Sequence, residues 1–151
     1  MIKAGIIGGA GYTAGELTRL LICHPEVELK WISSTSNAGN RVDSVHKGLI
    51  GETDLVFVAD TPLSEIDVLF LCTPHGFSKP FLEEHKGEIP ESLRIIDLAQ
   101  DFRIADGAHD FVYGLPELNR ERITTATKHI ANPGCFATAI QLALLPLAKN
   151  G

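Results

Sequence analysis

The chain has 151 residues, 44% hydrophobic and 21% charged, the composition of an ordinary globular domain long enough to bury a core. Its formal net charge is -6 and its 13 Lys and Arg are scattered, which argues against nucleic acid as a partner. The three cysteines, Cys23, Cys72 and Cys135, lie far apart with no C-x-x-C pair; a disulfide framework or metal site is not expected, and a reducing compartment is.

Met1 leads directly into an apolar strand, Lys3–Ile7, leaving no room for a signal peptide; no apolar run approaches the ~18 residues of a membrane helix, so a cytoplasmic location is expected. The strand enters Gly8-Gly-Ala-Gly-Tyr-Thr-Ala-Gly15, after which residues 16–22 continue as an amphipathic helix that Pro25 ends. Val27–Ser33 follows as a second strand. Strand, glycine turn, helix and strand within about thirty residues is the βαβ context of dinucleotide binding. The glycines fit Gly9-x-Gly11-x-x-Ala14 or Gly8-x-x-Gly11-x-x-Ala14, so Gly8, Gly9, Ala10, Gly11, Tyr12, Thr13 and Ala14 are the expected pyrophosphate cradle. A tight turn between packed elements is the plainer alternative.

After the second strand stand Ser33, Ser34, Thr35, Ser36 and Arg41, with no carboxylate before Asp43. A cofactor lacking a 2′-phosphate is ordinarily held there by Asp or Glu. Hydroxyls at Ser34, Thr35 and Ser36 with the Arg41 cation suit a 2′-phosphate instead, which favours NADP over NAD. Residues 54–58 read as a third strand, and residues 67–72 as a strand buried on both faces. The latter places Cys72 in the core and ends in Thr73-Pro-His-Gly76, so Thr73, Pro74 and His75 fall at a carboxyl strand end, where parallel sheets bind ligands. His75 touches cofactor or substrate on this reading; otherwise it is an ordinary turn residue. Residues 77–85 read as a helix, 93–98 as a strand, 119–125 as holding a short helical turn, and 128–131 as the last strand.

The final stretch, Ile130-Ala-Asn-Pro-Gly-Cys-Phe-Ala-Thr138, mounts Cys135 at the mouth of an apolar helix whose expected C-terminal cap is Lys149-Asn150-Gly151. Pro133 holds Asn132 extended and Gly134 permits a sharp turn. Free N–H groups and the macrodipole at a helix N-terminus favour a thiolate, making Cys135 a nucleophile candidate; a buried, inert cysteine is the alternative. The whole order predicts an α/β, Rossmann-like, doubly wound, mostly parallel sheet, with residues 1–151 as one nucleotide-binding domain.

Five stretches together, Gly8–Leu17, Thr73–Gly76, Asp97-Leu-Ala-Gln-Asp-Phe-Arg103, Tyr113-Gly-Leu-Pro-Glu117 and Asn132–Thr138, resemble the N-terminal half of the N-acetyl-γ-glutamyl-phosphate reductases of arginine biosynthesis, within the semialdehyde dehydrogenases. The chain departs from that pattern at Ala14-Gly15, where the family usually has Gly-Ala, and at Ala99, where it usually has Ser. The resemblance implies that Cys135 attacks the acyl phosphate of N-acetylglutamyl phosphate, expels phosphate, and forms a thioester reduced by NADPH. It places Arg103, Glu117 and Asn132 near a small-molecule acyl-phosphate substrate, with no metal, nucleic acid or membrane involved. Arg103 and Glu117 fit equally a scaffold role as ion pair or cap, and Tyr113 fits packing.

Family members are about twice as long. A second, α+β domain, expected to be absent from this chain, supplies their histidine acid/base and an interface through which they form homo-oligomers. The expectation is therefore a cofactor domain that binds NADP but is inactive alone. Competing readings are a sibling dehydrogenase of the aspartate-semialdehyde type, a non-catalytic NADP-binding module, and a domain for another nucleotide.

Overall fold

A computed structural model describes residues 1–150. Its centre is a seven-stranded sheet in which every paired strand is parallel, ordered β3-β2-β1-β4-β5-β7-β6. The strands are β1 Ile2–Ile7, β2 Val27–Ser33, β3 Phe57–Val58, β4 Val68–Leu71, β5 Arg94–Asp97, β6 Val112–Tyr113 and β7 His129–Ala131. The helices are α1 Tyr12–Ile22, α2 Val42–Val45, α3 Ser78–Glu84, α4 Pro116–Asn119 and α5 Cys135–Asn150.

Alternation along β1 explains the two layers. Ala4 and Ile6 join one apolar cluster with Ala14 and Leu21 of α1, Ile32 and Phe57. Ile7 joins the other, with Trp31, Leu69, Leu71, Phe81 of α3, Ile95 and Phe102. Successive strand residues point to opposite faces, so a sheet covered on both sides needs apolar residues at nearly every position. The strand order reverses direction between β1 and β4, opening a crevice at their carboxyl ends.

The helix α1 forms because Ala14, Thr18 and Leu21 share one buried face, and Thr18 satisfies its hydroxyl on the Ala14 carbonyl at 2.7 Å. It starts four residues earlier than the apolar pattern requires, at Tyr12, immediately after Gly11.

Other boundaries differ from the sequence reading for identifiable reasons. The strand expected over residues 54–58 contracts to Phe57–Val58. The backbone around it is bonded to the preceding loop instead: Val42 N–H to Leu55 O at 2.9 Å and Phe57 N–H to Asn40 O at 2.9 Å. The strand β6 and the one-turn α2 were not anticipated, being too short to carry a period. The helical turn expected over residues 119–125 resolves into α4 and a 3-10 turn at Arg120–Arg122. The proposed helix cap at Gly151 lies outside the described residues.

The helix α5 buries none of its residues. Phe136 is 78% exposed and Leu147 68%, with Ile140, Leu142 and Leu144 also exposed. Within its first turn the Thr138 hydroxyl donates back to Gly134 O at 2.9 Å, and Gln141 Nε2 ties the helix to β6 by donating to the Tyr113 hydroxyl at 2.9 Å.

Candidate functional site

Two clefts open at the carboxyl ends of the strands. The first, about 540 Å³, is lined by Gly8, Ala10 and Gly11 of the glycine turn, Ser33 at the end of β2 and Ser34 to Ser36 beyond it, and Cys72, Thr73 and Pro74 after β4. The second, about 740 Å³, gathers Thr13, His75, Arg103, Asn132, Cys135 and Thr138. The segment Thr73–His75 runs from one cleft to the other.

The glycines of the turn play different parts. Gly8 has φ +83°, and a Cβ there would stand 2.3 Å from the Cys72 carbonyl oxygen, so both conformation and packing require glycine. A Cβ on Gly9 would stand 2.2 Å from Ile32. Gly11 is different: its φ is -73°, and its Cβ would meet only Gly8 O at 3.4 Å and Cys72 O at 3.9 Å. The protein leaves room for a side chain there, and that room lies at the cleft. No side chain caps α1 and no acidic residue stands in its first turn. An open glycine edge leading to an uncapped helix start fits the pyrophosphate of a dinucleotide.

After β2, Ser34 and Ser36 are joined through Asn37, whose Nδ2 donates to both hydroxyls at 3.3 and 3.0 Å. Ser34, Thr35 and Ser36 line the first cleft and no carboxylate does. Arg41 is not brought there. Its guanidinium is committed to Asp43 at 2.7 Å and Asp54 at 2.8 Å, and to the Thr53 carbonyl at 3.1 Å. The hydrogen bonds from Arg41 hold the Asp43 carboxyl below the usual carboxylate range. Asp43 was visible in the sequence; Asp54, thirteen residues from Arg41 and brought back by the loop, was not.

Around Cys135 the strand order does the assembly. Neighbouring strands β4, β5 and β7 end side by side, bringing together the segments that begin at Thr73, Leu98 and Asn132. Cys135 is exposed in the first turn of α5. Arg103 crosses beneath: Nε donates to Asn132 O at 2.9 Å and Nη2 to Leu98 O at 2.8 Å. Nη1 lies against Gly134, 2.8 Å from where a Cβ there would stand. The guanidinium thus fixes the strand exits of β5 and β7 relative to each other and leaves Nη1 at the cleft. His75 accepts the Gln100 N–H on Nδ1 at 3.1 Å, which in the neutral ring places the proton on Nε2. Glu117, on α4, is exposed and lines neither cleft. Tyr12 is 85% exposed and also lies outside both linings.

Cys72 borders the first cleft as a spectator. Burial, with a contribution from the Asp97 charge, pushes its thiol up to about 12, leaving it protonated and unreactive at neutral pH. Asp97 and Ser78, to which the sequence motifs assign no role, are fully buried and connect through Ser78 to Thr73 of the first cleft. The sequence signal is an acidic residue, Asp97, closing the apolar pair Ile95-Ile96 of β5. Among the described residues no cluster of three or more His, Cys, Asp or Glu is arranged to hold a metal, and no helix is long and apolar enough to cross a membrane.

Residues 3–126 match the family described as semialdehyde dehydrogenase, NAD binding domain. The chain is similar to the N-acetyl-gamma-glutamyl-phosphate reductase of Bacteroides fragilis, 67% identical over 99% of this chain and 46% of that protein. It is also similar to that of Christiangramia forsetii, 57% identical over 100% of this chain and 46% of that one. The chain thus spans about half the length of the curated relatives it matches. The fold is shared with aspartate semialdehyde dehydrogenase from Francisella tularensis, with TM-score 0.73, 22% identity, and coverage of 99% of this chain and 41% of that one. It is shared too with aspartate semialdehyde dehydrogenase with NADP from Candida albicans, with TM-score 0.72, 20% identity, and coverage of 99% and 47%.

Proposed function

Because the chain belongs to the semialdehyde dehydrogenase NAD-binding domain family, we propose that it is the cofactor-binding, nucleophile-bearing half of an NADP(H)-dependent reductase of N-acetyl-γ-glutamyl phosphate. The observation that carries this is the placing of Cys135, Arg103 and His75 in one cleft, joined by Thr73–His75 to a second cleft lined by the glycine turn and three hydroxyl residues. The names of the relatives at 67% and 57% identity supply the substrate.

In this reading Cys135 attacks the acyl carbon as a thiolate, the carbon–oxygen bond to phosphate breaks, and phosphate leaves with the electron pair. The free Nη1 of Arg103 and the Nε2–H of His75 are the donors in the cleft for the anionic phosphoryl or carbonyl oxygens. Asn132, tied through its backbone to Arg103, holds the turn that aims Cys135. The uncapped start of α1 and Gly8–Gly11 hold the pyrophosphate, and Ser34, Thr35 and Ser36 receive the 2′-phosphate without help from Arg41. When bound, NADPH supplies the hydride that takes the thioester to the aldehyde level. Residues 1–151 form one domain of a longer catalytic unit, a cytoplasmic homo-oligomer.

Mixing the chain with N-acetyl-γ-glutamyl phosphate and following both phosphate release and the mass of intact protein tests the proposal. One phosphate per chain and an acyl adduct mapped to Cys135 are expected, with neither in Cys135→Ser. The sibling reading is preferred instead if aspartyl phosphate forms the adduct and N-acetyl-γ-glutamyl phosphate does not. Sustained turnover of this chain alone would show that no further domain is needed.

A further inference from the structure

Asp97 ends β5 with its side chain fully buried, and its two carboxyl oxygens are unequal. Oδ1 accepts the Ser78 hydroxyl at 2.6 Å and the Ala99 N–H at 3.2 Å. Oδ2 is buried with no partner. A buried acceptor left unpaired costs stability, so a carboxyl kept in this position calls for a reason other than folding. Ser78, also fully buried, stands at the start of α3, and its Oγ lies 3.0 Å from the Thr73 hydroxyl. Thr73 lines the first cleft.

Counting protons fixes the direction of this chain. Ser78 has one hydroxyl proton, and the carboxyl oxygen beside it accepts. That proton is therefore spent on Asp97. The contact between Ser78 and Thr73 must then be made by the Thr73 proton, which points inward. With the carboxyl ionised, Thr73 is left with lone pairs only; a proton on Oδ1 would instead be given to Ser78 Oγ and reverse the chain.

We infer that Asp97, acting through Ser78, fixes Thr73 as an acceptor-only contact in the first cleft, selecting a hydrogen-bond donor of the bound cofactor: the carboxamide N–H of nicotinamide or a hydroxyl of its ribose. The inference rests on the cofactor reading above and adds the polarity of one contact. Asp97 and Ser78 are positioning residues; neither reaches the cofactor.

Titration calorimetry of the chain with three probes tests it: NADP+, its 3-acetylpyridine analogue, which replaces the amide N–H2 with methyl, and an analogue whose nicotinamide ribose lacks the 2′-hydroxyl. One analogue is expected to bind the unmodified chain roughly five- to tenfold more weakly than NADP+, the worth of one hydrogen bond. Thr73→Ser keeps that discrimination. Thr73→Val, which leaves the Asp97–Ser78 pair untouched, reduces it to less than twofold, and Ser78→Ala relaxes it because the Thr73 hydroxyl is free to rotate. Equal binding of all three probes to the unmodified chain, or discrimination that survives Thr73→Val, overturns the inference while leaving cofactor binding intact. A folded chain that binds neither NADP+ nor NAD+ overturns the cofactor reading and this inference with it.

Discussion

Asp101 and Gly76 lie 25 residues apart in the chain and are joined at 2.8 Å, the Gly76 N–H donating to Oδ2. The other oxygen of the same carboxylate accepts the Lys79 N–H at 3.3 Å. One side chain from the loop after β5 thereby takes the place of a local cap on α3, whose own N-cap residue supplies no side-chain bond. It also pins Gly76, the residue that follows Thr73–His75, the segment shared by the two clefts. Replacing Asp101 with Ala removes both acceptors. A loss of about 1 kcal/mol in urea unfolding is expected, the usual worth of a cap, together with weaker NADPH binding. Unchanged binding with reduced stability would confine Asp101 to a scaffold role.

Gly11→Ala separates cofactor space from protein space. The backbone angle suits alanine and no protein atom lies closer than 3.4 Å to the new Cβ. The melting temperature should therefore hold or rise slightly, since alanine lowers the entropy of the unfolded chain. Affinity for NADPH, followed by its fluorescence, should fall about tenfold or more. Gly8→Ala gives the opposite contrast, with a destabilised fold, because its φ is +83° and the Cys72 carbonyl blocks the site. A Gly11→Ala chain that binds as tightly as the original would remove the turn from the pyrophosphate site.

The three cysteines should sort by exposure and by ionisation. Cys135 and Cys23 are exposed, while Cys72 is half-buried with its thiol pushed up to about 12. Brief iodoacetamide treatment of the native chain at pH 7.5, read by peptide mass spectrometry, should modify Cys135 first and leave Cys72 untouched until the chain is unfolded. Saturating NADP+ should leave Cys23 labelling unchanged. Cys135 reacting no faster than Cys23 would count against a nucleophile and favour a binding module.

Asp97 supplies a pH dependence with a definite sign. Burial, the largest influence, raises its carboxyl above the ordinary aspartate range, against the bond from Ser78. The native state therefore holds this proton more tightly than the unfolded chain does. The associated stability is complete below the unfolded value of about 3.9 and is lost as pH rises through the raised folded value. Asp97→Asn removes the ionisation and keeps an oxygen for Ser78. It should stabilise the chain at pH 7 and give no gain below about pH 3.9, measured by thermal melts across pH. A variant less stable at pH 7 than the original would show that the charge is compensated.

Arg103→Lys tests whether the guanidinium fork is needed. A lysine cannot span the carbonyls of Asn132 and Leu98 while presenting a third nitrogen at Gly134. Acyl-adduct formation on Cys135 should slow by about tenfold or more, with a stability loss of about 1–2 kcal/mol from the missing carbonyl bonds. Adduct formation at the original rate would make Arg103 structural only.

Much of this arrangement could be read from the residues because it rests on local patterns. The apolar runs of β1 and β4, the glycine turn, and a cysteine after Asn-Pro-Gly each carry their own signal within a few residues. What escaped depends on contacts made across the fold. Phe57 and Leu55 alternate like a strand, but their backbone groups are taken by Asn40 and Val42. Val112 and Tyr113 become a strand because β7 inserts beside them, pairing Val112 with Ile130. Arg41 looked free for a phosphate until the loop returned Asp54 to it. Glu117 lies in a recognisable motif, yet the turn at Leu115 buries the leucine and sends the glutamate outward.

The bare side of α5 has a consequence for the thiol at its other end. A helix carrying Phe136, Ile140, Leu144 and Leu147 in solvent is tied by the Gln141 side chain to Tyr113 of β6. Cys135 stands in the first turn of that same helix, so any surface laid over those side chains would bear on the element that carries the thiol.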